Sequence, residues 1–163
     1  RLVNACNPSF RPMVQAALLT GARYAELANL ECRDFDGQSQ TIWLRETKSG
    51  VERAVYLEDE GLGLFEQATA GKLTTDPIFP RPDGKKWGPS QQARPLASAC
   101  EKAKLERTGF HDLRRTYGAR LALRGVPMAV IAEALGHSAD TVREAVAGLG
   151  VVSKSNVTPF AKR

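Results

Sequence analysis

One change of hydrophobic period constrains this chain more than any other feature. Thr41-Ile42-Trp43-Leu44-Arg45-Glu46 and Glu52-Arg53-Ala54-Val55-Tyr56-Leu57 alternate in part, as strands do, across Thr47-Lys48-Ser49-Gly50. They read as a β-hairpin with Lys48 near its tip. Asp76-Pro77-Ile78-Phe79-Pro80 offers a third short strand, confined to an edge by its prolines. Almost every other stretch has the period of a helix. The expected class is α+β and mainly α-helical, with a small antiparallel sheet: the hairpin over about 41–57 and an edge strand over about 77–80.

The helical stretches punctuate themselves. Pro8 to Leu19 carries Phe10, Met13, Val14, Ala17 and Leu18 on one stripe, and Thr20-Gly21 ends it. Ala22 to Leu30 follows, with Leu27 and Leu30 inward and Arg23 and Glu26 paired at i, i+3. Arg33 to Gly37 has loop and turn composition. Helices are expected over Glu58 to Ala70 and Ser90 to Leu105, separated by a polar loop from Arg81 to Gly88. A helix over about His111 to Arg124 has Leu113, Tyr117 and Leu121 as its core stripe, and Gly125 stands where a left-handed cap belongs. Pro127 opens another, with Val130, Ile131, Ala134 and Leu135 inward and Gly136 as its stop. Thr141 with Glu144 fits a capping box for a last helix, whose apolar face is Val142, Val146 and Leu149.

At 163 residues, with 42% hydrophobic and 25% charged residues, the chain suits one ordinary globular domain over residues 1–152. Residues 153–163 make a polar tail. The start at Arg1, in mid-pattern, suggests a further N-terminal domain outside this chain. A net charge of +5 favours a polyanionic partner. Cys6, Cys32 and Cys100 are far apart and odd in number, so the expectation is a reducing, cytoplasmic setting without a disulfide framework or a metal site. No apolar run has the length of a membrane span.

The chemistry concentrates in Gly109-Phe110-His111-Asp112-Leu113-Arg114-Arg115-Thr116-Tyr117. His111 and Arg114 share a face in the first turns of a helix, where the backbone dipole already favours an anion. A phosphate is the obvious ligand. Transfer at a phosphodiester without a metal needs dense positive charge on the non-bridging oxygens, a proton donor for the leaving oxygen and a nucleophile. Arg23, Lys48, His111, Arg114 and His137 are the candidates for the first two roles. Singly, each has a bland explanation: a surface helix pair for Arg23, a solvated turn for Lys48, a cap for His137.

Their order along the chain is more telling. Thr20-Gly21-Ala22-Arg23-Tyr24-Ala25-Glu26-Leu27 resembles the first arginine box of the tyrosine recombinases, the lambda-integrase family. Thr47-Lys48-Ser49-Gly50, followed by Val55-Tyr56-Leu57, is similar to that family's catalytic-lysine hairpin. His111-Asp112-Leu113-Arg114-Arg115-Thr116 resembles its HxxR box, and Leu135-Gly136-His137-Ser138 its LGH box. The resemblance runs from Pro8 to Leu149. It implies a helical, DNA breaking-rejoining catalytic domain with a small sheet, acting in site-specific recombination and integration. Arg23 and Arg114 would clamp the scissile phosphate and Lys48 would protonate the leaving 5′ oxygen. His111 and His137 would assist proton transfer and oxyanion stabilisation. Arg81, Lys85, Lys86, Arg115 and Arg143 are further candidates for DNA contact. Double-stranded DNA, self-association as a tetramer on it, and a bacterial or phage-encoded, nucleoid-associated protein complete the expectation. No cofactor or metal is implied.

One position departs from the family. Val146 stands where the nucleophilic tyrosine belongs, and no tyrosine follows Tyr117. Valine has no nucleophilic atom, so this chain alone is not expected to form a 3′-phosphotyrosyl link. Natural loss, an engineered substitution and a tyrosine supplied in trans all stay open. Two other readings compete. One is a non-catalytic DNA-binding accessory relative. The other is a helix-turn-helix transcription factor built on Pro127 to Leu149, whose second helix offers only Arg143 as a base-reading donor.

Overall fold

The computed structural model describes residues 1–45 and 52–136. Lys48, His137, Arg143, Val146, the expected last helix and the tail lie outside the described residues.

The elements in chain order begin with α1 (Leu2–Ala5), α2 (Arg11–Thr20) and α3 (Tyr24–Asn29). A 3₁₀ turn (Cys32–Asp34) leads into β1 (Phe35–Asp36), β2 (Thr41–Leu44) and β3 (Arg53–Tyr56). Then come α4 (Asp59–Thr69), α5 (Ala93–Ala103), α6 (Phe110–Leu123) and α7 (Met128–Leu135). The strands form one antiparallel sheet in the order β1-β2-β3, with Ile42 opposite both Phe35 and Val55. Ile42, Leu44 and Val55 are buried while Trp43 and Tyr56 are exposed, which is the alternation expected of a sheet covered on one face. No described helix is long and apolar enough to cross a membrane.

The third strand is not where the prolines suggested. Residues 76–80 do not join the sheet: Pro77 makes a single bridge to Glu31, and Ile78 N–H donates to Leu30 O at 3.0 Å. Proline lacks the N–H that a ladder needs. The edge belongs instead to Phe35–Asp36, which has turn composition. Asp36 Oδ1 accepts from the N–H groups of Gln38 and Ser39, so the same residue ends the strand and holds the turn. The first helix begins at Arg11 rather than Pro8, because Asn7 O takes the N–H groups of Phe10 and Arg11 in a preceding turn. Leu2–Ala5 adds a short helix absent from the sequence reading.

The core runs from Phe10, Met13 and Val14 of α2 through Leu27, Ile42, Leu44 and Phe65 to Leu96 and Leu113. A smaller cluster of Ile131, Ala132 and Leu135 packs on Tyr117 and Leu121. The stripe of α6 is therefore divided, its first turn in the main core and its later turns under α7. Val130, expected inward, is 50% exposed, and Ala132 is buried in its place. Val, Ile and Ala surround α7 on too many faces for periodicity to choose between them.

Candidate active site

The α2–α3 turn sets the first arginine. Thr20 is fully buried; its Oγ1 donates to Ala16 O at 2.6 Å and accepts the Ala22 N–H at 3.2 Å. Gly21 then takes a left-handed conformation, φ +63°, that ends α2. Arg23 is the extended residue before α3, so its side chain leaves the turn rather than a helix face. Next to it, Tyr24 stacks edge-on against Phe110 at 5.2 Å, and its hydroxyl donates to Gly88 O at 2.7 Å. Phe10 in turn meets Phe110 at 6.0 Å and Trp87 at 5.1 Å. Tyr24 and Phe110 are the chain neighbours of Arg23 and His111. This aromatic packing thus joins the two boxes, far apart in sequence, at one place.

Arg114 is 3% exposed. Its Nη1 donates to Gly21 O at 2.5 Å and its Nη2 to Leu135 O. The second acceptor is one of the last carbonyls of α7, which have no partner within their own helix. Burial, and then the nearby Arg23, lower the Arg114 pKa to about 10, with Glu26 acting in the opposite sense. At neutral pH it stays a cation by roughly a thousand to one.

Glu26 is the anion at the centre, its side chain 1% exposed. Oε2 accepts the Arg23 backbone N–H at 2.7 Å, and Oε1 accepts Arg23 Nη1 at 2.8 Å. Sequence reading anticipated this pair. It missed Arg53, whose Nη1 and Nη2 take the same carboxylate at 3.0 and 2.9 Å, with Nε on Ala134 O at 3.1 Å. Burial pushes the Glu26 pKa up, but the Arg53 hydrogen bonds and the Arg23 N–H outweigh it, and the net direction is down. Three guanidinium groups against one carboxylate leave two positive charges unbalanced beside the C-terminus of α7. A multiply charged anion fits that surplus.

A pH prediction follows. A native carboxylate pKa below the ordinary 4.5 means stability that is full above 4.5 and lost as pH falls through the lower native value. Glu26→Gln should abolish that part of the acid titration of stability and, by leaving Arg53 buried without its counter-charge, cost about 3 kcal/mol at neutral pH. Urea midpoints from pH 7 down to pH 3 measure both. Parallel pH curves for the two proteins would refute it.

His111 is exposed, one turn before Arg114. The α6 start is less open to an outside anion than the sequence implied, since Asp112 Oδ2 already accepts the Gly109 N–H at 2.9 Å and lies 3.3 Å from Thr108 Oγ1. Glycine offers no side chain, so this is one leg of a capping box. Among the other cations, Lys86 pairs with Glu31 at 2.8 Å and Arg81 with Asp83 at 3.1 Å. Lys85 is exposed, and Arg115 is partly buried with its Nε shut from solvent and without an acceptor among the described residues. The three tyrosines have other duties. Tyr24 holds Gly88, Tyr56 meets Gln40 Oε1 at 2.5 Å, and the Tyr117 ring packs against Gly21.

The structure therefore unites Arg23 and Arg114 and adds Glu26 and Arg53; Lys48 and His137 fall outside the described residues. Comparison with known proteins sharpens the picture. The profile of the phage integrase family matches residues 1–143. The integrase of Salmonella phage P22 is 30% identical over 144 residues, 82% of this chain and 37% of that protein. Tyrosine recombinase XerA of Saccharolobus solfataricus is 28% identical over 138 residues, 84% of this chain and 45% of that one. The chain thus spans less than half the length of either relative. In three dimensions it resembles a XerA recombinase crystal structure with a TM-score of 0.75, at 24% identity and over 89% of this chain and 54% of that one. A lambda integrase dimer bound to a COC′ core site gives 0.72 at 19% identity, over 89% of this chain and 45% of that one. At such identities these two likenesses speak for the fold.

Proposed function

This chain belongs to the phage integrase family, and on that premise we propose that it is the DNA-binding catalytic domain of a tyrosine recombinase, built to grip a scissile DNA phosphate in site-specific recombination. The observation that carries the reading is the meeting of Arg23 and Arg114, 91 positions apart by their numbers (114 − 23), around Glu26 in a site with surplus positive charge. Two guanidinium forks can hold the non-bridging oxygens of one phosphate, and in a partly buried site they do so more strongly than in water.

In this reading Lys48 protonates the leaving 5′ oxygen, while His111 and His137 move protons and stabilise the oxyanion. Val146 takes the nucleophile's place, so the chain by itself holds the phosphate without attacking it. Double-stranded DNA is the partner, with Lys85, Arg115, Arg81, Lys86 and Arg143 contacting its backbone, and four copies assemble on two sites. The DNA complex of the lambda integrase dimer supports a DNA partner by analogy of fold. Residues 1–152 are the catalytic domain and 153–163 its tail, in a protein of the bacterial cytoplasm or of a mobile element.

The absence of a tyrosine favours one further reading, a relative that keeps the clamp for binding alone. The helix-turn-helix reading explains neither Arg23 nor Arg114.

Duplex affinity should fall steeply with salt, by about 0.9 log unit per log unit of salt for each phosphate neutralised. Arg23→Gln should weaken binding about fivefold and reduce the slope by about 1. Fluorescence anisotropy between 50 and 200 mM salt would show it. Salt-insensitive binding, or an unchanged Kd for the variant, would overturn the clamp.

A further inference from the structure

From outside the two arginine boxes, Arg53 reaches both Glu26 on α3 and the last turn of α7. It starts β3, immediately after the hairpin connection that carries Lys48. Its guanidinium covers both oxygens of Glu26, and Glu26 is what fixes the backbone and the side chain of Arg23. Its Nε caps Ala134 O, while Arg114 caps the next carbonyl, that of Leu135. Two of the unpartnered carbonyls at the end of α7 are thus held by two different arginines, directly before the Gly136-His137 step. The fit is close. Gly136 has φ +59°, and a Cβ there would stand 3.4 Å from Arg53 Nη1.

Arg53 itself is too committed to be a ligand. Its Nε, Nη1 and Nη2 are all engaged by protein acceptors, Ala134 O and the two oxygens of Glu26. A guanidinium spent on a buried carboxylate and a helix end fixes geometry rather than charge at the phosphate. The other end of the same hairpin connection has a counterpart, since Arg45 Nε meets the buried Asp34 Oδ1 at 2.6 Å. Arg45 is half exposed, so its pair is screened by solvent and holds less firmly.

We infer that Arg53 is a positioning residue of the phosphate clamp: through Glu26 it aims Arg23, and through Ala134 it sets the end of α7 beside Arg114. The inference rests on the clamp reading above. If Arg53 acts through Arg23, its loss should matter only while Arg23 is there to be aimed. A residue that merely stabilises the fold would lower binding in either background.

The test is a double-mutant cycle on duplex affinity at fixed low salt, with the folded fraction of each protein verified by its unfolding midpoint. The proteins are the full chain, Arg53→Gln, Arg23→Gln and the double variant. Arg53→Gln should weaken binding about fivefold in the parent and less than twofold in the Arg23→Gln background. Equal losses in both backgrounds, or no loss in a folded Arg53→Gln, would overturn the inference while leaving the clamp intact. If neither Arg23→Gln nor Arg114→Lys alters binding, the clamp itself fails and the positioning role falls with it. Should Arg53→Gln not fold, Arg53→Lys keeps the charge but loses the two-point grip on Glu26. It is expected to retain the fold and lose about threefold in affinity, again only when Arg23 is present; full affinity in that variant would count against the inference.

Discussion

Gly21→Ala is expected to destabilise the protein by about 3 kcal/mol, more than a methyl added at any other described glycine. Two costs coincide there. The backbone has φ +63°, a region that an L side chain enters at a cost of about 1 kcal/mol. The added Cβ would also stand 2.4 Å from Tyr117 Cδ1 and 2.7 Å from Leu135 Cδ2. Neither neighbour is the loose end of a flexible chain: the Tyr117 ring is packed under α7, and Leu135 is buried in the same cluster. Gly125 supplies the control. It has φ +78° but open space around the position of a Cβ, so Gly125→Ala should cost only about 1 kcal/mol. Denaturant midpoints of the two variants separate strain from collision. Equal losses would mean that the close approach of α2, α6 and α7 is wrong. Because Gly21 O also anchors Arg114, Gly21→Ala should weaken duplex binding as well, and Gly125→Ala should not.

Much of this architecture could be read from residue order alone. The change of period at Thr41 marks the hairpin, and Gly21, Gly125 and Gly136 mark three helix ends, each with positive φ. Arg23 with Glu26 is a local pair, so spacing reveals it. Arg53 is of a different kind. Its partners lie 27 and 81 positions away, and within β3 it looks like an ordinary polar residue of a half-covered strand. Only the folded chain shows that it shares Glu26 with Arg23. The start of α6 is less open to an anion than its sequence suggests, for a similar reason. The dipole is there, but Asp112, counted as one more residue of the box, supplies a carboxylate at that end. The misplaced edge strand and the outward Val130 have local causes, the missing N–H of Pro77 in the first case and a helix apolar on most of its faces in the second.

On the proposed function, the phosphate is held by Arg23 and Arg114 and nothing in this chain attacks it. Val146→Tyr would supply an attacking hydroxyl where that reading puts the nucleophile. With the clamp formed by Arg23 and Arg114, the restored hydroxyl would give its proton to His111 and displace the 5′ oxygen of the held phosphodiester, leaving a 3′-phosphotyrosyl bond and a free 5′ hydroxyl that receives its proton from Lys48. A duplex nicked close to the cleavage point loses the short 5′ fragment and traps the link. The direct measurement is denaturing electrophoresis of end-labelled nicked duplex after incubation with each protein. The proposed function predicts a protein–DNA adduct with Val146→Tyr, none with the unaltered chain, and none when Arg114→Lys is added to Val146→Tyr. An adduct formed by the unaltered chain, or one that persists without Arg114, would contradict it.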